Sequence, residues 1–256
     1  MSVGPDKEQT LFSHLLELRD RLLRAVIMVV VVFIPLAVFS SELFTWLSGP
    51  LLAHMPIGSS LIATEVAAPF LAPFKLSILL AVVISLPWIL YQIWAFVAPG
   101  LYMNERRLVV PLLATSTSLF YLGMAFAYYI VFPVVFGFFV SVAPEGVAVM
   151  TDISRYLDFV LGMFMAFGIA FEVPVALFLL VWAGFTTPAD LASYRPYVLV
   201  GAFAIAMLLT PPDMISQTLL AVPIFILYEA GIWGARLFVP GIREVEAQKA
   251  EQKRDE

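Results

Sequence analysis

Apolar blocks separated by short polar breaks recur six times along these 256 residues. They run from Leu22 to Phe39, Phe70 to Val97, Leu108 to Val140, Tyr156 to Ala183, Pro196 to Leu209 and Ser216 to Phe238. Runs of this length cross ~30 Å of hydrocarbon at ~1.5 Å per residue, so they predict transmembrane helices rather than barrel strands. The last two blocks read as short: Pro196 to Leu209 spans only ~21 Å as a helix, and the turn Thr210-Pro211-Pro212-Asp213 sends the chain straight back. Such a hairpin thins the bilayer or is shielded by another protein, although a tilted extension of a larger bundle would read the same way. Pro35, Pro87, Pro111, Pro133, Pro174 and Pro223 fall inside or near the ends of blocks, where each removes a helix hydrogen bond and bends the helix. The expected architecture is an all-α integral membrane protein, six transmembrane helices in a curved, concave bundle with short fifth and sixth spans. It forms one domain over residues 1–241, followed by a charged tail over 242–256 that is expected to be disordered.

Ahead of the first block, LFSHLLELRDRLLR places Leu11, Leu15, Leu18 and Leu22 on one helical stripe with its charges off it. This predicts an interfacial helix running into the first span, or a solvated lead-in to it. The loop from Ser40 to about Pro69 carries Pro50, Pro56, Gly58 and Pro69, which predicts ordered irregular chain over the membrane surface, forming a cap. No two of the fourteen glycines are four residues apart, so a tight glycine-packed helix pair is not indicated. No duplication links the first three spans to the last three, which disfavours an inverted-repeat transporter.

Composition agrees with the spans: 62% of residues are hydrophobic and 13% charged, and mean hydropathy is +0.97, far more apolar than a soluble domain. An even number of spans puts both termini on one side. Alternating the loops leaves only Lys75 and Arg155, of fourteen basic residues, on the other. The terminal side is therefore cytoplasmic by the positive-inside rule. The N-terminal basic residues and Ala25 to Phe39 imitate a secretory signal, but Asp6, Glu8, Glu17 and Asp20 in a long leading segment favour a retained anchor. There is no cysteine, hence no disulfide framework and no thiolate metal site.

Polar chemistry concentrates in a few places. Glu17 lies in HLLELRDRLL, and Glu105 precedes Arg106 and Arg107 in FVAPGLYMNERR between the second and third spans. Read alone, each is either a surface acid beside basic neighbours or a binding group. Glu172, about midway through the fourth span, is costly at that depth, so it faces the bundle interior or a wet groove, or is protonated. Asp213 is positioned to cap the sixth span. With Thr210, Met207 and Gln217 close by, it forms a candidate polar patch for a partner's transmembrane helix. Catalysis is poorly supported. The only histidines, His14 and His54, fall on opposite sides of the membrane, and there is no phosphate-binding GxxxxGK[ST] loop. No metal, cofactor or nucleic acid is expected.

HLLELRDRL at 14–22, QIWAFVAPGLYMNERR at 92–107, FEVPV at 171–175 and LLTPPDMISQTLLAVPIFILYE at 208–229 together resemble TatC, the six-span receptor component of the bacterial twin-arginine protein translocase. The resemblance extends from about residue 10 to 236 and ends before the tail. It implies a multi-pass protein of the bacterial cytoplasmic membrane that recognises folded precursors by an Arg-Arg signal peptide. It also implies a multimeric complex with the single-span partners TatA and TatB, which moves those precursors outward on the proton-motive force. It assigns the signal's arginines to Glu17 and Glu105, and marks Arg19, Pro50, Phe96, Tyr102, Glu172, Asp213 and Gln217 as positions that matter. A carboxylate pairs a planar guanidinium through two charge-assisted bonds but meets an ammonium only as a point charge, so two fixed acids favour Arg-Arg over Lys-Lys. The competing reading is a proton- or ion-coupled small-molecule carrier with Glu172 as its coupling site. It would require uptake by the protein alone.

Overall fold

The computed structural model describes residues 5–54, 61–97, 109–142, 150–209, 214–239 and 242. The chain is all-helical over these residues, apart from one isolated parallel bridge between Ile62 and Asp152. In order come α1 (Pro5–Val38), α2 (Ser40–His54), α3 (Ala68–Val97) and α4 (Val109–Phe126). A π-helical turn (Ala127–Val131) leads into α5 (Phe132–Ser141), and α6 (Ile153–Trp182), α7 (Pro188–Ser193), α8 (Arg195–Leu209) and α9 (Met214–Phe238) follow. Among the described residues, five stretches are long and apolar enough to cross a membrane: Leu15–Val38, Ala68–Ile93, Val110–Phe139, Ile153–Trp182 and Gln217–Phe238. Arg195–Leu208 is a shorter apolar helix.

Two expectations are corrected. Of the two spans expected to be short, only the fifth is: α9 has 25 residues, ~37 Å at ~1.5 Å each, because its helix starts at Met214 and runs through Pro223 to Phe238 without a break. The segment expected to be irregular is helical over Ser40–His54. Phe44, Leu47 and Ser48 there share a buried helical face, and a single proline removes too few hydrogen bonds to undo that burial.

The contacts divide the chain into two compact units, residues 1–49 with 63–117, and 50–62 with 118–256. In the first, α1 packs along α3. Phe33 meets Phe74 edge-to-face with centroids 5.2 Å apart, and Ser77 Oγ donates to Leu36 O at 3.2 Å and to Pro73 O at 3.1 Å. α1 is one continuous helix of 34 residues, ~51 Å long, so the amphipathic lead-in and the first span are a single rod. Its less exposed residues, Glu17, Arg21, Ala25, Val29, Val32 and Leu36, form one stripe, while Leu22, Val26, Ile27, Val30 and Ile34 face outward.

In the second unit, aromatic pairs join the helices before and after the 142–150 connection. Phe126 meets Phe167 at 5.3 Å, Phe132 meets Phe164 at 5.1 Å and Phe136 meets Tyr156 at 5.8 Å. Here a third expectation fails, because α4 and α6 do approach through glycines. A Cβ on Gly123 would sit 2.4 Å from Phe167 O, and one on Gly168 would sit 2.6 Å from the Phe120 ring. One glycine on each helix at the crossing suffices, and no four-residue repeat is required. Gly231 of α9 similarly lies against Pro174 and Leu177 of α6. α6 is capped by Asp152, whose side chain accepts from Ser154 N and Arg155 N. It ends on Gly184 at φ +75°, a left-handed position where a side chain would be strained.

Candidate functional site

At the end of the α1–α3 pair that carries the N-terminus, helical spacing sets the site. Glu17 and Arg21, one turn apart, both lie on the α1 stripe that runs on to Leu36, the residue that accepts from Ser77 of α3. Arg21 donates to Glu17 Oε1 from Nη2 at 2.5 Å and from Nε at 2.9 Å, with the acid N-terminal to the base as an i,i+4 helix pair prefers. Such a pair contributes only ~0.3–0.5 kcal/mol. A carboxylate is thus displayed here with a guanidinium already on it, held by a weak bond. Arg19 points elsewhere and donates to its neighbour Asp20 at 2.7 and 3.0 Å in an exposed pair.

α3 supplies the facing wall. Phe74 and Ser77 contact α1, and Ala81, Ser85, Gln92 and Phe96 continue the same face at helical spacing toward its C-terminal end. Phe96 is half-buried there, on the same helix pair as Glu17. Tyr102 and Glu105 lie outside the described residues, as do Thr210 and Asp213. Pro50 falls within α2. Met207 is exposed near the end of α8, and Gln217 is half-buried in the first turn of α9, so the two flank the 210–213 turn. Glu172 is half-buried on α6 between Phe171 and the kink-forming Pro174.

The second unit holds polar links that sequence reasoning missed. Arg195, the first residue of α8, makes a bidentate pair with Glu229 of α9, Nε to Oε1 at 2.5 Å and Nη2 to Oε2 at 2.8 Å. Tyr228 OH donates to Leu191 O at 2.7 Å. Thr187 and Asp190 form a capping box that starts α7. Beneath these lies a core of Leu177, Val181, Leu191, Tyr228, Ile232, Ala235 and Ile242. Next to it, a pocket of about 400 Å³ between α6, α8 and α9 is lined mainly by aliphatic side chains, among them Val173, Ala176, Val198 and Ile205. The Arg21 partner of Glu17 was readable from its spacing, whereas the Arg195–Glu229 pair, 34 residues apart, was not. Among the described residues, no three His, Asp or Glu side chains gather as a metal site.

The sequence model of the family described as Sec-independent protein translocase protein (TatC) matches residues 13–223. The chain belongs to the TatC family. It is 56% identical over 231 residues to the Sec-independent protein translocase protein TatC of Escherichia coli strain K12, covering 90% of each chain. To TatC of Azotobacter chroococcum mcd 1 it is 55% identical, covering 93% of this chain and 94% of that one. A solved structure, described as the twin arginine translocase receptor TatC, superposes with a TM-score of 0.79 at 38% identity, over 88% of this chain and 98% of that chain. As a TatC-family member, the protein is a multi-pass membrane component of the Sec-independent, twin-arginine translocase, a transport protein rather than a catalyst.

Proposed function

We propose that this protein is the signal-peptide receptor of its translocase, with both termini cytoplasmic. It binds the paired arginines of a precursor's signal on Glu17 and Glu105, with Arg19, Phe96 and Tyr102 bordering the site. The observation that carries this reading is the Glu17–Arg21 pair, in which a carboxylate at the basic-rich end of the membrane helices takes two N–H groups of a guanidinium, 2.5 and 2.9 Å away. A signal arginine needs only to repeat that geometry. Arg106 and Arg107 beside Glu105 repel a segment that is merely basic, so selection rests on bidentate geometry rather than on charge. Assembly with TatA and TatB through Glu172, Met207, Thr210, Asp213 and Gln217, and outward movement of folded precursors on the proton-motive force, complete the reading. The described solved relative, a twin arginine translocase receptor, supports it. Pro50 serves the ordered cap on the outer side.

The test is binding of an Arg-Arg signal peptide and its Lys-Lys variant to the protein in lipid nanodiscs. Hydrogen bonds to charged groups contribute ~1.5–3 kcal/mol, so Glu17→Gln or Glu105→Gln should weaken the Arg-Arg peptide ~10- to 100-fold. Equal binding by the parent, both variants and the Lys-Lys peptide would refute it.

A further inference from the structure

The sequence singles out no role for Gln92, yet it is a poorly accommodated polar side chain on the α1–α3 wall. It is 4% exposed, and its Oε1 is buried with no donor among the described residues. A buried acceptor left without a donor destabilises the fold, and structures seldom keep one without a reason.

Position says which donor is missing. Gln92 is about five turns on from Phe74 at ~3.6 residues per turn, so it projects from the face of α3 that packs Phe74 on Phe33 and Ser77 on Leu36. The Ser77–Leu36 contact also fixes the register of the two antiparallel helices. Counting from it, Gln92 on α3 and Arg21 on α1 are equally far along, ~22 Å each at ~1.5 Å per residue. Gln92 is therefore level with the Glu17–Arg21 pair, within the seam between the helices. The donor on α1 at that level is Arg21, whose Nε and Nη2 both go to Glu17. Ser85, on the same face and 1% exposed, also has a buried hydroxyl without a partner, but seven residues of helix, ~10 Å, keep that hydroxyl from donating to Gln92.

We propose that Gln92 is a further specificity residue of the signal-peptide site. Its Oε1 accepts an N–H from the guanidinium that Glu17 binds. A guanidinium has five N–H donors in a rigid plane, so one can occupy a carboxylate with two of them and still present a third sideways. An ammonium on Glu17, a compact charge with no such fork, does not span both acceptors in fixed geometry. Gln92 thus adds to Arg-over-Lys discrimination beyond what two carboxylates provide. This inference rests on the receptor reading above.

The test substitutes the amide by shape-matched apolar groups, Gln92→Met and Gln92→Leu, in the full chain in nanodiscs. It reads affinity for Arg-Arg and Lys-Lys peptides, and the melting temperature without peptide. Gln92→Met should bind the Arg-Arg peptide ~5- to 20-fold more weakly, change Lys-Lys binding less than twofold, and melt no lower than the parent, since an unsatisfied acceptor is removed. Gln92→Asn, with the amide drawn back by one methylene, should lose affinity similarly. An unchanged Arg-to-Lys ratio in the Met and Leu variants, with Glu17→Gln still abolishing it, overturns the role of Gln92 and leaves the receptor reading standing. Equal loss for both peptides, or a clearly lower melting temperature, would mark Gln92 as structural and overturns it too. A parent protein that does not distinguish the two peptides overturns both readings.

Discussion

Gly123→Ala tests how α4 and α6 meet. A Cβ at this position would lie 2.4 Å from the carbonyl oxygen of Phe167, 2.9 Å from its carbonyl carbon and 3.0 Å from Phe171 Cδ2. The first two are backbone atoms of a helix, so no rotamer change relieves them and the helices must part by more than half an ångström. That parting opens the seam lined by Phe126, Phe167 and Phe171, whose rings now sit 5.3 and 5.7 Å apart. Overpacking of this kind costs ~1–3 kcal/mol, against up to ~1 kcal/mol gained by replacing a helical glycine with alanine. With the full alanine gain subtracted, the net is a loss of up to ~2 kcal/mol, or up to ~8 °C in melting temperature for a chain of this size. Gly168→Ala meets only the Phe120 ring, at 2.6 Å, and should lose less, since a side chain can shift. Gly137, with nothing within 4 Å, should gain when changed to alanine. Thermal unfolding of the three variants in one detergent gives the order Gly137→Ala above parent, then Gly168→Ala, then Gly123→Ala. Gly123→Ala melting at or above the parent would refute the close approach.

Arg21→Ala removes one partner of Glu17. The pair contributes ~0.3–0.5 kcal/mol, so Arg-Arg peptide affinity should rise about twofold or more in nanodisc titrations, and a fall would show that Arg21 holds the site rather than competes for it. Glu172→Gln should leave peptide binding intact and impair export or partner assembly, measured by reporter transport and co-purification; normal export would remove its assigned role. Arg195→Ala, Glu229→Gln and the double variant should lower the melting temperature non-additively in thermal unfolding, and additive effects would mean the bidentate pair does not form.

What the sequence made legible follows from what the membrane imposes. Hydrocarbon thickness forces apolar length, so the helical class and the short fifth span, α8, could be read residue by residue. The glycine crossing could not, because a repeat is visible in one strand of sequence whereas Gly123 and Gly168 become a notch only once α4 is known to lie on α6. For the same reason Arg195 and Glu229 look like two unrelated charges until α8 folds back along α9. Proline counting misled at Ser40–His54, where buried Phe44 and Leu47 outweigh one missing N–H. Of the candidate site, the spacing of Glu17 and Arg21 was legible as an i,i+4 helix pair. Gln92 was not, since an amide in an apolar run has no periodic or charge signature, and its meaning depends on which helix face it occupies.

On the proposed receptor reading, recognition at the α1–α3 seam needs more than Glu17. An incoming arginine that displaces Arg21 gives up the ~0.3–0.5 kcal/mol of the internal pair, so part of its bond to the carboxylate is offset and further affinity comes from groups the internal arginine does not satisfy. On the same reading two such groups are the second acid, Glu105, and the buried Oε1 of Gln92. An internal occupant then serves selectivity, because a lysine that cannot match the two-nitrogen grip of Arg21 on Glu17 gains less from the exchange than a guanidinium does. On this argument Arg21→Ala raises affinity for both peptides but lowers the Arg-to-Lys ratio, opposite in sign to Gln92→Met on affinity and the same in sign on selectivity. The two variants therefore separate competition from direct contact in one titration series, and an Arg21→Ala protein with a higher ratio would show that exchange plays no part.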